Sequence, residues 1–267
     1  MTKRKTLLTA VIIALVLLFA VSGGILFVKH IKNQKTEKKY EALASSYAHL
    51  TQASGETAAT DASGKPLPPN PVDFASLQAQ NPEIYSWINV EGTEVDYPVL
   101  QSETDDNFYI DHDYEKQSSA AGAIFSQFCN RKDYSDRVTV LYGHNMANNS
   151  MFASLHSFED ADFFDAHEKI TVYTPDRQLD YQIISAYVYS DTHIMNSYDF
   201  SSDEVYREFQ ATVLEPRSVS SRVREGVTLT TDDRLLILST CLNYGDGRYL
   251  VVGRLTGETA LAPSAAS

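Results

Sequence analysis

The feature that most constrains the fold is a series of short apolar segments with β-strand composition in the region 73–256. Only two longer segments among them, 150–158 and 201–214, have a helical pattern, and a short helix opens the region. Strands that follow one another without regular helical crossovers argue against alternating βαβ units. The predicted fold is therefore mainly β, a closed or nearly closed barrel with helical insertions. The predicted strands are a segment around Trp87 and 93–101, 122–128, 137–144, 169–174, 179–190, 235–240 and 248–255.

Residues 6–28 form an uncharged and mostly apolar run, TLLTAVIIALVLLFAVSGGILFV. At about 1.5 Å per residue, a helix of this length crosses the roughly 30 Å hydrocarbon layer of a membrane. A secretory signal has a shorter apolar region before its cleavage site, whereas this run continues past Ala20-Val21-Ser22. A retained transmembrane helix is therefore predicted. Basic residues flank both of its ends, so the positive-inside rule does not set its orientation.

The segments outside the globular region have simple patterns. Apolar residues at 40, 43, 47 and 50 recur at helical spacing and predict a stalk helix over 35–53 that rests on the domain. Residues 52–72 are rich in Ala, Ser, Thr, Gly and Pro, which is typical of a flexible linker. The predicted organisation is a short N-terminus (1–5), a transmembrane anchor (6–28), a stalk helix and linker (29–72), the globular domain (73–256) and a disordered tail (257–267).

Charge is unevenly distributed along the chain, whose formal net charge is −13. The first 39 residues hold eight of the 22 Lys and Arg residues but only one of the 35 acidic residues. The remaining body is strongly acidic and repels phosphate backbones. Binding of nucleic acid is therefore not expected.

Cys241 is one of only two cysteines and follows a continuous apolar strand, 235–238. Ser239 and Thr240 are small polar residues at the strand end, where they could line a cleft. The turn sequence NYGDG then returns the chain, so that Arg248 opens the next strand roughly across from Cys241. A guanidinium beside a thiol favours the thiolate and can hydrogen-bond an oxyanion.

A cysteine nucleophile also needs a proton carrier, and His144 has the most suggestive position among the seven histidines. It leaves the predicted strand VTVLY through Gly143, at a strand-to-loop exit like that of Cys241. The other histidines lie at the membrane border, in the stalk, between aspartates, or in acidic and polar segments: His30, His49, His112, His156, His167 and His193.

Three blocks of sequence resemble the signature of the sortases, membrane-anchored cysteine transpeptidases of Gram-positive bacteria. These are YGHNMANNSMF (142–152), LSTC (238–241) and RYLVV (248–252). The family motif Leu-x-Thr-Cys is matched, with a histidine upstream and an arginine downstream. The stretches 81–101 and 106–114, and the helix-bearing insertion between 190 and 229, are similar to class B sortases. The resemblance covers about residues 73–256.

The resemblance implies an eight-stranded sortase-type β-barrel behind an N-terminal transmembrane helix. It implies that Cys241 is the nucleophile, His144 the general acid and base, and Arg248 the oxyanion stabiliser. Ser239 and Thr240 are expected to contact substrate, and neither a cofactor nor a metal is expected. Cys129 matches no catalytic position of the family and is predicted to be a core or strand cysteine.

The implied reaction is cleavage of a C-terminal sorting motif of secreted proteins after Thr, through a thioester. The acyl group then passes to an amine of a peptidoglycan precursor or of a pilin. Residues 1–5 would be cytoplasmic, and the enzyme would be a single-pass protein of the cell membrane with its catalytic domain outside.

Three alternatives remain open at this point. One is another extracytoplasmic cell-wall cysteine peptidase or an L,D-transpeptidase. Those families favour a Ser-His-Gly-Cys block or a cysteine that precedes its histidine, and neither pattern occurs here. The second is a non-catalytic, membrane-tethered binding domain. The third is a structural role with a disulfide between Cys129 and Cys241.

Overall fold

The computed structural model describes residues 2–48, 59–60, 64–218 and 220–263, and one β-sheet dominates it. The strands found in this part of the chain have the bounds that follow. They are β1 (Ile84–Val90), β2 (Asp96–Leu100), β3 (Ile124–Phe125), β4 (Val138–Tyr142), β5 (Lys169–Tyr173), β6 (Arg177–Tyr189), β7 (Arg222–Val223), β8 (Leu235–Cys241) and β9 (Arg248–Ala260).

Eight of these strands close into a ring, as predicted. Their order is β5-β1-β2-β3-β4-β8-β9-β6, and β6 pairs with β5 to close the barrel. The long strand β6 uses its first half, 178–182, for β5 and a later pair, 185–186, for the short strand β7. Strand β7 is therefore an appendage to the barrel, which explains why a ninth strand does not change the eight-stranded architecture.

Strand β8 is buried on both of its faces, which accounts for its unbroken apolar run. Leu236 and Leu238 belong to the main core cluster, together with Trp87 of β1. Leu235 and Ile237 belong to a second cluster on the other side of the strand, which includes Phe209 of a helical insertion. The site at the end of β8 therefore rests on a strand that is held from both sides.

The helices are short apart from the first and one insertion helix. Three of the helices begin with an Asp or Ser side-chain cap, residue types that favour this position: Asp73 accepts from the N–H of Ser76, Asp160 from that of Phe163 and Ser202 from that of Val205. The α-helices are α1 (Thr2–Tyr47), α2 (Phe74–Gln80), α3 (Ala161–Ala166), α4 (Ile194–Ser197) and α5 (Asp203–Leu214), and the 3₁₀ helices are Phe108–Ile110 and Ala153–Glu159.

The prediction of a helix over 150–158 is wrong in the type of helix and in its first residue. It is a 3₁₀ helix that begins at Ala153 and is preceded by Phe152. Ser150 precedes this helix without capping it, because its hydroxyl donates to the side chain of Asn148. Both Asn149 and Met151 have positive φ angles, so the backbone here is a tight loop that cannot start a regular α-helix.

Helix α1 packs on the barrel through its C-terminal part. Tyr40 and Leu43 of the predicted stripe are buried in the main core, whereas position 50 lies outside the described residues. The Lys39 Nζ atom lies 3.2 Å from Asp113 and 2.6 Å from Glu115. Through these contacts the C-terminal part of α1 rests on the domain.

The predicted membrane span at 6–28 falls within α1. The side chains at 6–11, 14, 25 and 26 lie outside those described. Within the described part of the chain, no helix combines the length and the apolar character needed to cross a membrane.

The tail predicted to be disordered from residue 257 is instead part of the sheet up to Ala260. Strand β9 pairs with β6 as far as Arg177↔Ala260, and Leu261 is buried. The prediction failed because the apolar pattern ends at Leu255, whereas backbone pairing continues through Gly257 and Glu258. Residues 264–267 lie outside the described residues, as do 49–58 of the predicted stalk helix and linker and 61–63 of the linker.

Candidate active site

Strand topology brings the ends of β4, β8 and β9 to one place. Strands β4 and β8 are parallel neighbours, with Tyr142 opposite Ser239, so both chains leave the sheet at the same edge. Strands β8 and β9 are antiparallel, and Cys241 pairs directly with Arg248. Opposed residues of an antiparallel pair project their side chains to the same face of the sheet. The predicted thiol and guanidinium therefore meet because of strand register.

The Arg248 side chain contacts the Cys241 sulfur directly. Its Nη1 atom donates a hydrogen bond to Sγ across 2.9 Å, and the Cys241 residue is exposed. Guanidinium groups remain protonated at all ordinary pH values, so a full positive charge lies beside this thiol. The thiolate is the nucleophilic form of cysteine, and a guanidinium at this position can also donate to an oxyanion that forms beside the sulfur.

His144 lines the same cleft as Cys241 and Arg248. Its Nε2 atom lies 2.6 Å from the carbonyl oxygen of Ile110, which can only accept, so Nε2 carries a hydrogen. Among the hydrogen bonds of the described residues, none joins His144 to Cys241. Among the described residues, Nδ1 of His144 is the ring nitrogen that has no hydrogen-bond partner.

The cleft has a volume of about 220 Å³ and is bounded by strand ends and by the segments that connect the strands. Ser239 and Thr240 line it, and both residues are almost fully buried. Strand alternation places Ser239 on the same face as Cys241. Thr240 pairs with Tyr249 of the barrel core, and its buried hydroxyl has no partner within the part of the chain described. The remaining lining residues are Asn107, Ile110, Phe125, Gln127, Tyr142, Gly143 and His193.

Gly143 sets the position of His144 by close packing. A Cβ atom at this position would lie 2.5 Å from Cδ1 of Ile124 and 2.7 Å from Cγ of the Phe152 ring. The Gly143 N–H donates to the carbonyl of Ser239, and the Phe152 N–H donates to the carbonyl of His144. Hydrogen bonds therefore hold the loop that carries His144 both to β8 and to Phe152 at the end of the same loop.

Sequence reasoning missed a second group of residues at Cys241. The His156 ring, set aside as part of an acidic helical stretch, has its Nε2 atom 3.0 Å from the Cys241 carbonyl oxygen. Its Nδ1 atom lies 2.6 Å from a carboxylate oxygen of Glu159. The side-chain amide of Asn145 also donates to the Cys241 carbonyl, across 3.1 Å. The His-x-x-Glu spacing is the only sequence signal of this arrangement.

Cys129 is not the core or strand cysteine that was predicted. It lies in a turn after β3 and is exposed, because the strand ends at Phe125. Desolvation, and then the negative charge of Asp106, raise the pKa of its thiol, so it is a poor nucleophile at neutral pH. Both cysteines are free, which overturns the alternative of a structural disulfide.

The described side chains include no group of three or more His, Cys, Asp and Glu residues arranged to hold a metal ion. Cys241, His144 and Arg248 share one cleft and are the candidate residues for its chemistry.

Comparison with known proteins adds independent findings. The sortase family, described as a sortase domain, matches residues 88–256. Sortase B of Listeria monocytogenes is 30% identical over 186 residues, which are 68% of this chain and 74% of that protein. A crystal structure of sortase B from Bacillus anthracis has 28% identity and a TM-score of 0.68, covering 84% of this chain and 96% of the other. A Staphylococcus aureus sortase B–substrate complex has 26% identity and a TM-score of 0.64, covering 85% and 98%.

Proposed function

The chain belongs to the sortase family of cysteine transpeptidases, in its class B, and from this premise we propose its substrates and the roles of its site residues. The substrates are secreted proteins with a C-terminal sorting motif that is cleaved after Thr. The acceptor is an amine of a peptidoglycan precursor or of a pilin. One observation carries the assignment of roles: Arg248 Nη1 lies 2.9 Å from Cys241 Sγ, in the cleft that His144 also lines.

In the first step, the Cys241 thiolate attacks the carbonyl carbon of the threonine. Arg248 donates to the oxyanion of the tetrahedral intermediate, where a lost donor of this kind typically costs about 10²–10³ in rate. The intermediate collapses to a thioester as the C–N bond breaks, and the leaving amine takes a proton from His144. Because Nε2 of His144 already donates to Ile110, Nδ1 is the nitrogen proposed for this exchange.

In the second step, the acceptor amine attacks the thioester carbonyl and gives a proton to His144. The C–S bond breaks, a new amide forms, and Cys241 returns to the thiolate. The imidazole therefore begins and ends each turnover in the same protonation state. Ser239, on the Cys241 face of β8, is proposed to contact the bound peptide.

The test uses the full chain in detergent micelles with a library of fluorogenic sorting peptides and intact-mass detection of the acyl-enzyme. The two free cysteines provide a matched pair, Cys241→Ala and Cys129→Ala. We expect the wild type and C129A to gain the mass of the acyl fragment, whereas C241A should carry no adduct.

Two outcomes would contradict the proposal. One is an adduct that persists in C241A. The other is the absence of any adduct with every peptide while a control sortase reacts under the same conditions. Peptide binding that survives in C241A without any covalent capture by the wild type would favour the non-catalytic binding domain. A second stage adds candidate amines to the acyl-enzyme, and the ligated product identifies the acceptor.

We also propose that residues 6–28 anchor the protein in the cell membrane as a single span with the barrel outside. The support is the uncharged apolar run of the sequence, and the orientation rests on the sortase family. Protease added to intact cells should digest the barrel, and a barrel that is protected until the cells are lysed would reverse this orientation.

A further inference from the structure

The backbone carbonyl of Cys241 receives side chains from two other segments. His156 of the 3₁₀ helix Ala153–Glu159 approaches it through Nε2 at 3.0 Å, and Asn145 of the loop after β4 through Nδ2 at 3.1 Å. The same Asn145 amide donates to Oδ1 of Asn243, in the turn that follows Cys241, across 2.9 Å. The nucleophile's own peptide is thus held at the point where β8 leaves the sheet.

Counting hydrogens assigns the charge on His156. Glu159 is 2.6 Å from Nδ1, and a carboxylate only accepts, so Nδ1 carries a hydrogen. The Cys241 carbonyl also only accepts, so the 3.0 Å contact with Nε2 is favourable only if this nitrogen carries a hydrogen too. Asn145 then uses its two amide hydrogens for the Cys241 carbonyl and for Oδ1 of Asn243.

The neutral ring does not fit as well. If Nε2 carried no hydrogen, its lone pair would face the Cys241 carbonyl oxygen. Nε2 also lies 3.2 Å from the Asn145 amide nitrogen, so this amide would then have three acceptors for its two hydrogens. With Nδ1 bare, its lone pair would face the Glu159 carboxylate. The imidazolium form, paired with Glu159, is the one that satisfies all contacts.

The groups around the ring agree with a positively charged His156. Glu159 lies on the same 3₁₀ helix and supplies the negative charge. The Tyr249 ring of β9 stacks on the imidazole with centroids 4.8 Å apart, an arrangement that also suits a cation. Arg222 of β7 is a second cation near this helix, but its Nη2 atom donates across 2.7 Å to the backbone carbonyl of Glu159 and not to the carboxylate that pairs with His156.

We propose that His156, held as an imidazolium by Glu159, is a positioning residue that fixes the backbone of Cys241 so that Sγ meets Arg248 and the substrate. The inference rests on the proposed function, because it concerns the same nucleophile. A shift of about 1 Å in a reacting group can cost about 10²-fold in rate, so anchoring of this carbonyl matters for acylation.

Two substitutions separate the hydrogen bond from the packing. In His156→Phe the ring can still stack on Tyr249, but no donor remains for the carbonyl. In His156→Gln the side-chain amide can supply a donor near the Nε2 position. We expect H156F to slow thioester formation about 10- to 100-fold with little change in KM, and H156Q to recover most of that loss.

The positive charge on His156 is tested by Glu159→Gln. Asp162→Asn in the neighbouring helix α3 is the matched control. Histidine ¹H–¹⁵N spectra of the full chain at pH 7 should show hydrogens on both nitrogens of His156. E159Q should lose one of these signals and slow acylation, whereas D162N should change neither. The spectra need no substrate, so they test this inference even if no peptide acylates Cys241.

The inference fails if the wild-type spectra show only one protonated nitrogen on His156. It also fails if H156F acylates at the wild-type rate, or if H156Q is as slow as H156F at equal thermal stability. If H156F does not fold, H156Q and E159Q still give the comparison, since each keeps the size and polarity of the original side chain.

Discussion

Gly143→Ala is expected to damage both stability and activity, because the site of His144 depends on close packing at this glycine. The added Cβ would lie 2.5 Å from Cδ1 of Ile124 and 2.7 and 2.8 Å from two atoms of the Phe152 ring. Real Cβ contacts are not this short, so neighbours must move. The Ile124 methyl lies at the end of a flexible side chain, whereas Phe152 is a large and fully buried side chain.

The size of the effect follows from these contacts. Overpacking of a well-packed core typically costs about 1–3 kcal/mol, which for a domain of this size lowers Tm by roughly 2–12 °C. The Phe152 N–H donates to the His144 carbonyl, so displacement of Phe152 also moves the histidine. A misplacement of about 1 Å would reduce the acylation rate by about 10²-fold.

The assay combines thermal unfolding followed by circular dichroism with the rate of thioester formation. Gly257→Ala in β9 is the matched control, because a Cβ there meets no atom within 4 Å and the backbone has no positive φ. We expect G257A to behave as the wild type. Shortening the obstructing ring, in the double variant G143A with Phe152→Leu, should return part of the lost rate. Wild-type Tm and rate in G143A would refute the packing argument.

Three further predictions use other parts of the structure. Arg248→Gln should lower the acylation rate by about 10²–10³, measured at saturating peptide, and a loss below threefold would contradict the oxyanion role. Cys129→Ser should leave activity unchanged, since this thiol lies in an exposed turn; loss of acylation would refute that. Burial alone would raise the pKa of Glu83, but hydrogen bonds from Lys116, Tyr109 and the Glu103 N–H outweigh it and lower the pKa. This carboxylate therefore stabilises the fold above its unfolded pKa and loses that contribution as the pH falls through the folded value. Urea unfolding should show Glu83→Gln about 1–3 kcal/mol less stable than the wild type at pH 7 and nearly equal at pH 3, and an equal difference at both pH values would contradict the assignment.

Where the sequence carried strong local patterns, the structure could be predicted from it. The eight strands of the ring, the capped helix α5 and the approach of Arg248 to Cys241 all follow from apolar periodicity, capping residues and a tight turn. The prediction failed where backbone pairing, and not apolar pattern, holds the chain. Residues 257–260 pair with β6 although their side chains are small or polar. Cys129 was misplaced because only Ile124 and Phe125 of its apolar segment form a strand.

The missed role of His156 shows what one sequence leaves undetermined at a site. A 3₁₀ helix aligns residues three apart, so the pairing of His156 with Glu159 is a local property that the spacing itself contains. The role of this pair depends on a contact with Cys241, which lies 85 positions further along the chain. Tyr249 of β9 stacks on the imidazole that makes this contact. Apolar pattern predicts strands, but it does not say which loop covers the end of a given strand. From the sequence alone, a histidine three residues before a glutamate reads as an ordinary surface pair. Here it becomes a support for the nucleophile because barrel closure places the 3₁₀ helix against the ends of β8 and β9.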